Sequence, residues 1–138
     1  MSPDGSLPHR RPRVLLADDH PLILASFNRL LKRSCNLVGT ASTGEHAVEA
    51  AVRLRPDILV LDLMFSDVNG LEVCRRVKQA APETDVVIVT AFDDMQIRNV
   101  ALQAGATAFV AKHSAPGTLD ALLQEIFAGR RPAAVTDA

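Results

Sequence analysis

Short apolar runs alternate along this chain with longer segments in which apolar side chains recur every three or four positions. Four of the runs are Val14–Ala17, Ile58–Leu61, Val86–Val89 and Ala108–Ala111, and their length and β-branched content predict buried strands. Five such runs alternate with five segments of helical period, so five helices are expected. The first, Pro21 to Ser34, carries proline in its first turn and Ile23, Phe27, Leu30 and Leu31 on one stripe. The second, Thr43 to Arg53, starts at a capping Ser42-Thr43 and stops ahead of Pro56. Gly70 to Ala80 presents Leu71, Cys74 and Val77, and Asp93 to Ala104 presents Ile97, Val100, Ala101 and Ala104 before a left-handed stop at Gly105. Pro116 to Ala128, with Leu119, Leu122, Leu123, Ile126 and Phe127, reads as the strongest amphipathic stripe. Alternation of this kind predicts βαβ units and a parallel sheet covered by helices on both faces.

Each of the four runs ends in a residue that carries chemistry: Asp18-Asp19, Asp62, Thr90 and Lys112. Ligands of open parallel sheets bind outside the carboxyl ends of the strands, so the fold would gather these groups into one site. Two adjacent carboxylates would repel a phosphate where a glycine-rich turn would attract one, unless a cation intervened. A hard divalent cation is therefore expected, Mg2+ or Mn2+, held by Asp18, Asp19 and Asp62 with a backbone carbonyl completing the set. Asp62 stands alone at the end of the third strand, which places it best as a nucleophile toward a phosphoryl group. Lys112 would screen the transferring charge, and the Thr90 hydroxyl would bond the new phosphoryl oxygen. Ala91 is small enough to leave the approach open.

Composition narrows the alternatives. With 48% apolar and 22% charged residues and a net charge of −1, the chain reads as an ordinary globular domain without broad attraction to nucleic acid or membrane. The flanking Arg10, Arg11, Arg13, Arg130 and Arg131 read as solvated charge. Cys35 and Cys74 lack the spacing of a zinc site or disulfide framework and read as packing thiols. No stretch resembles a secretory signal or a membrane span, so a cytoplasmic protein is expected, with a loose arm over residues 1–12, one domain over 13–128 and a tail over 129–138. His9, His20, His46 and His113 are scattered, and His20 reads as a helix-start residue rather than a ligand.

Together the residues resemble the receiver domains of two-component response regulators, over roughly Arg13 to Ala128. The resemblance rests on Asp18-Asp19, Asp62-Leu63, Gly70 at the start of the third helix, Thr90-Ala91, Lys112, and Phe109 at the aromatic switch position. It implies a flavodoxin-like doubly wound (βα)5 three-layer sandwich with strand order 2-1-3-4-5. It also implies Asp62 as phosphoacceptor, Mg2+ bound by Asp18, Asp19, Asp62 and the Met64 carbonyl, and a sensor histidine kinase as partner. Thr90 and Phe109 would switch the surface of the fourth helix, fifth strand and fifth helix, where Ile97, Arg98, Val100 and Gln103 could meet a second copy. Such a domain takes part in its own phosphorylation and slow dephosphorylation but is a signalling module rather than an enzyme. Ala17-Asp18-Asp19-His20-Pro21-Leu22-Ile23 resembles the subgroup that continues into a helix-turn-helix DNA-binding output. The stretch after Phe127 is too short for one, so this chain is expected to bind no DNA itself and to be a single-domain regulator or an excised receiver.

The family's pattern is also broken in places. Phe65 and Ser66 replace a common methionine and proline after the acceptor, which predicts a looser loop. His113 stands after the lysine where proline is common, and a cis non-proline bond costs about 2.5–4 kcal/mol, so the family's isomer is not assigned here. Met64 and Phe92 occupy the positions that influence hydrolysis of the acyl phosphate, and neither can orient a water, which predicts a long-lived phosphoryl state. Two rivals remain. A haloacid-dehalogenase-like phosphatase would need an aspartate where Met64 stands, and a phosphorylation-independent interaction module would share the fold alone.

Overall fold

A computed structural model describes residues 11–91, 94–112 and 116–129. The order is β1 (Arg13–Ala17), α1 (Pro21–Leu31), β2 (Asn36–Ala41), α2 (Gly44–Leu54), β3 (Ile58–Asp62), α3 (Gly70–Ala80), β4 (Asp85–Thr90), α4 (Met95–Gln103), β5 (Ala108–Ala111) and α5 (Pro116–Gly129). The strands form one parallel sheet in the order β2-β1-β3-β4-β5, the expected doubly wound sandwich. Residues 1–10 of the expected arm (1–12), residues 130–138 of the expected tail (129–138), Phe92 and His113 lie outside the described residues.

Side chains alternate across the sheet because a strand repeats every two residues. Leu15, Leu59, Leu61, Val86 and Ile88 point to one face and pack with Ala47, Ala50 and Ala51 of α2, Val73, Cys74 and Val77 of α3, and Ala101 of α4. Val14, Leu16, Ile58, Val60, Val87 and Val89 point to the other, against Leu31 of α1 and Leu119, Leu123 and Ile126 of α5. Covering both faces explains why the strands read as unbroken apolar runs instead of alternating ones.

Several details of the helices differ from the sequence reading. α1 stops at Leu31 rather than Ser34, because the Ser34 hydroxyl donates to Asp120 on α5 at 2.6 Å. Val100, expected in the core beside Ala101, is 43% exposed, whereas Ala101 is fully buried beneath α4. α4 opens at Met95, not Asp93, since the Asp94 carboxylate accepts from the backbone N–H of Gln96 and Ile97. α2 ends on Arg55 in the left-handed region (φ 49°), a conformation that costs a non-glycine residue about 1–2 kcal/mol. Gly105 does adopt positive φ, 106°, at the end of α4. Both cysteines are free and buried, and burial pushes the Cys74 thiol up to about 11, so it stays protonated at neutral pH.

Candidate functional site

Parallel register puts the polar strand ends level with one another. Ala17 pairs with Leu61, Asp62 with Val89 and Thr90 with Ala111, so the residues just past them emerge along one edge of the sheet. Asp18 (3% exposed) and Asp62 (2% exposed) are buried there, and Thr90 is fully buried. The Lys112 backbone N–H donates to the Thr90 carbonyl at 2.7 Å, which turns the lysine toward the acids. Its Nζ lies 2.9 Å from Asp18 Oδ2 and 3.6 Å from Asp62 Oδ1. Asp18, Asp19, Asp62 and Lys112 thus come together, and Thr90 lies buried at the end of the neighbouring strand.

The electrostatics are unbalanced. Carboxylate oxygens of Asp18, Asp19 and Asp62 lie with a ring nitrogen of His20 inside a cluster 4.8 Å across. Burial, and then the neighbouring Asp18, push the Asp62 carboxyl above its ordinary range, while Lys112 and the backbone N–H groups of Met64 and Leu63 pull it back. Asp62 Oδ2 and Asp19 Oδ1 are buried without a hydrogen bond, although Asp19 Oδ1 is 3.1 Å from His20 Nδ1. A hard divalent cation is what two orphaned carboxylate oxygens beside a third acid would accept, so the residues fit the cation that the sequence implied.

Gly70 explains how Asp62 is aimed. A Cβ at Gly70 would fall 2.5 Å from both the Asp62 carbonyl oxygen and Leu63 Cα, so only glycine lets α3 begin against the end of β3. Its N–H donates to the Leu63 carbonyl at 2.9 Å, and Asn69 caps the helix through its side chain. The intervening loop, where Phe65 and Ser66 led a looser course to be expected, is anchored at two points. Phe65 packs on the core, and the Asp67 carboxylate accepts from the backbone N–H groups of Gly44 and Glu45 at the start of α2. Those bonds hold the Asp67 carboxyl below its ordinary range. Met64 is 54% exposed beside the acceptor.

Sequence reasoning undervalued His20 and missed Asp67. His20 Nδ1 is 2.8 Å from Asp18 Oδ1, a contact that its position directly after the acidic pair could have signalled. Asp67 has no local signature, because its partners are 22 and 23 residues away. Of the residues assigned to the switch surface, Phe109 is half-buried with the Arg98 guanidinium 5.1 Å from its ring centre. Ile97 packs on the core instead of joining Val100 and Gln103 on an outer side.

Comparison with known proteins agrees with this geometry. The response regulator receiver domain model matches residues 14–124. The response regulator GacA of Pseudomonas aeruginosa is 30% identical over 86% of this chain and 56% of its own length, and UvrY of Escherichia coli is 28% identical over 86% and 55%. The chain thus spans about half the length of these curated relatives. The receiver domain of NarL from Mycobacterium tuberculosis superposes with a TM-score of 0.83 at 32% identity, covering 88% of this chain and 99% of that one. A LuxR-family two-component response regulator from Aurantimonas gives 0.83 at 31%, covering 88% of each. Both fit the subgroup that the stretch from Ala17 to Ile23 resembles. This chain belongs to the response regulator receiver domain family of two-component systems.

Proposed function

We propose that this chain accepts a phosphoryl group on Asp62 from a phosphohistidine of a sensor kinase and passes the change to the α4-β5-α5 surface. The observation that carries the reading is Asp62 itself: 2% exposed at the end of the middle strand, with one oxygen unpartnered and an ammonium 3.6 Å from the other. In the transfer, an Asp62 oxygen forms the new bond to phosphorus while the phosphorus–nitrogen bond breaks and the donor imidazole leaves with its electron pair. Lys112 stands beside Asp18 and Asp62 to offset charge on the phosphoryl oxygens, and the N–H groups of Leu63 and Met64 orient the carboxylate. Asp19 and Asp62, with Asp18 and the Met64 carbonyl completing the set, would hold a divalent cation, which would supply charge neutralisation when bound.

Thr90 then serves as the sensor. Its hydroxyl, bonded to a phosphoryl oxygen, would gain about 1.5–3 kcal/mol, enough to re-set a balanced equilibrium. Phe109 is the element it biases, and the exposed Val100 and Leu102 give α4 an apolar surface for a second copy or an output partner. Met64, exposed and without a polar group, supports slow hydrolysis of the product. Intact mass after incubation with Mg2+ and a small acyl phosphate tests the reading. One phosphoryl increment on the native chain and none on Asp62→Asn is expected. No increment on either would overturn it in favour of a phosphorylation-independent module.

A further inference from the structure

The carboxylates of the site do not have equal freedom. Asp18 is fully engaged: Oδ1 accepts from the His20 backbone N–H at 2.9 Å and lies 2.8 Å from His20 Nδ1, while Oδ2 meets Lys112 at 2.9 Å. The buried oxygens left without a hydrogen bond are Asp19 Oδ1 and Asp62 Oδ2, and Asp62 is almost wholly buried. His20 Nδ1 sits at the same place, 3.1 Å from Asp19 Oδ1. Two ligands at right angles on one octahedral cation, each about 2.1 Å from it, stand about 3 Å apart. The His20–Asp19 separation is therefore that of neighbouring ligands on a shared ion.

From this geometry we infer that His20 gives its Nδ1 to the cation held by Asp19 and Asp62, and so favours first-row transition divalent cations over Mg2+. The inference rests on the cation-dependent reading above and adds to it a ligand and a metal preference. His20 is free to make the exchange. Its side chain is 59% exposed, it makes no side-chain cap to α1, and Asp18 Oδ1 keeps the backbone N–H when the ring turns to the metal. Imidazole suits the later first-row ions, whereas Mg2+ keeps to oxygen and water, so one nitrogen changes the order of preference more than the overall strength.

Titration of the tag-free full chain with Co2+ and separately with Mg2+, for native protein, His20→Ala and Asp19→Asn, tests this, with the visible absorption of bound Co2+ as a second readout. The expected result is that His20→Ala weakens Co2+ about tenfold or more and alters its spectrum, while Mg2+ binding moves less than about twofold. Equal weakening of both ions would make His20 a support for the carboxylates and overturn its role as ligand, as would no change in either. Asp19→Asn keeps the two readings apart, since it should lose both ions. If the native chain binds neither ion, the cation site itself fails, and the ligand with it.

Discussion

At the amino end of the sheet, buried polar groups are closed off by one another. The Thr84 hydroxyl, fully buried, donates to the Pro56 carbonyl at 2.8 Å, and Lys78 Nζ donates to the carbonyls of Thr84 and Pro82. Arg13 seals the end of α2 by donating to the Leu54 and Arg55 carbonyls, where a cation also suits the helix dipole. The carboxyl end of the same strands carries three acids, one lysine and two buried oxygens without a hydrogen bond. Both ends belong to the same five-stranded sheet and both carry buried polar groups, so a lack of polar residues cannot account for the difference. Unsatisfied groups persist where a bound species completes them, and the closed end contributes the stability that tolerates the open one.

The largest expected effect tests whether the open end depends on backbone contact. Gly70→Ala forces a Cβ against the Asp62 and Leu63 backbone, which cannot yield as a flexible side chain would. A loss of about 3 kcal/mol in denaturant unfolding is expected, together with failure to accept a phosphoryl group. Next is Asp62→Asn in the presence of a chelator, which should stabilise the chain by about 1–3 kcal/mol at neutral pH by removing a buried charge that is only partly compensated. Linkage sets the sign. The folded pKa of Asp62 lies above its unfolded value, so the penalty grows as pH rises above the ordinary carboxylate range. The advantage of the variant should shrink as pH falls toward that range, and the variant leaves Lys112 its contact with Asp18. The smallest effect belongs to the closed end. Thr84→Val leaves the Pro56 carbonyl unpaired and should cost about 1–2 kcal/mol, with phosphoryl acceptance unchanged.

The same contrast separates what was legible in the sequence from what was not. Asp18, Asp19, Asp62, Thr90 and Lys112 could be read because each stands at the end of an apolar run, and parallel register alone brings such ends together. Gly70 was legible as a helix start, but its reason, the close approach to Asp62, appears only in three dimensions. Long-range partners account for most of the misses. Ser34 leaves α1 for Asp120, and Asp67 reaches back to α2, neither of which is encoded within a local window. His20 was discounted although it directly follows the acidic pair, because a lone histidine there is more often a helix-start residue than a ligand.

Thermal unfolding of the native chain, Asp62→Asn and Thr84→Val in chelator, then in Mg2+, then in Mg2+ with beryllofluoride as a phosphoryl mimic, tests most directly that the open end is kept for a cation and a phosphoryl group. The native chain and Thr84→Val should gain the same two increments, the first worth about 2.7 kcal/mol at a Mg2+ concentration one hundred times its dissociation constant. Asp62→Asn should lose the second increment entirely. Equal increments in Asp62→Asn, or none in the native chain, would contradict the account.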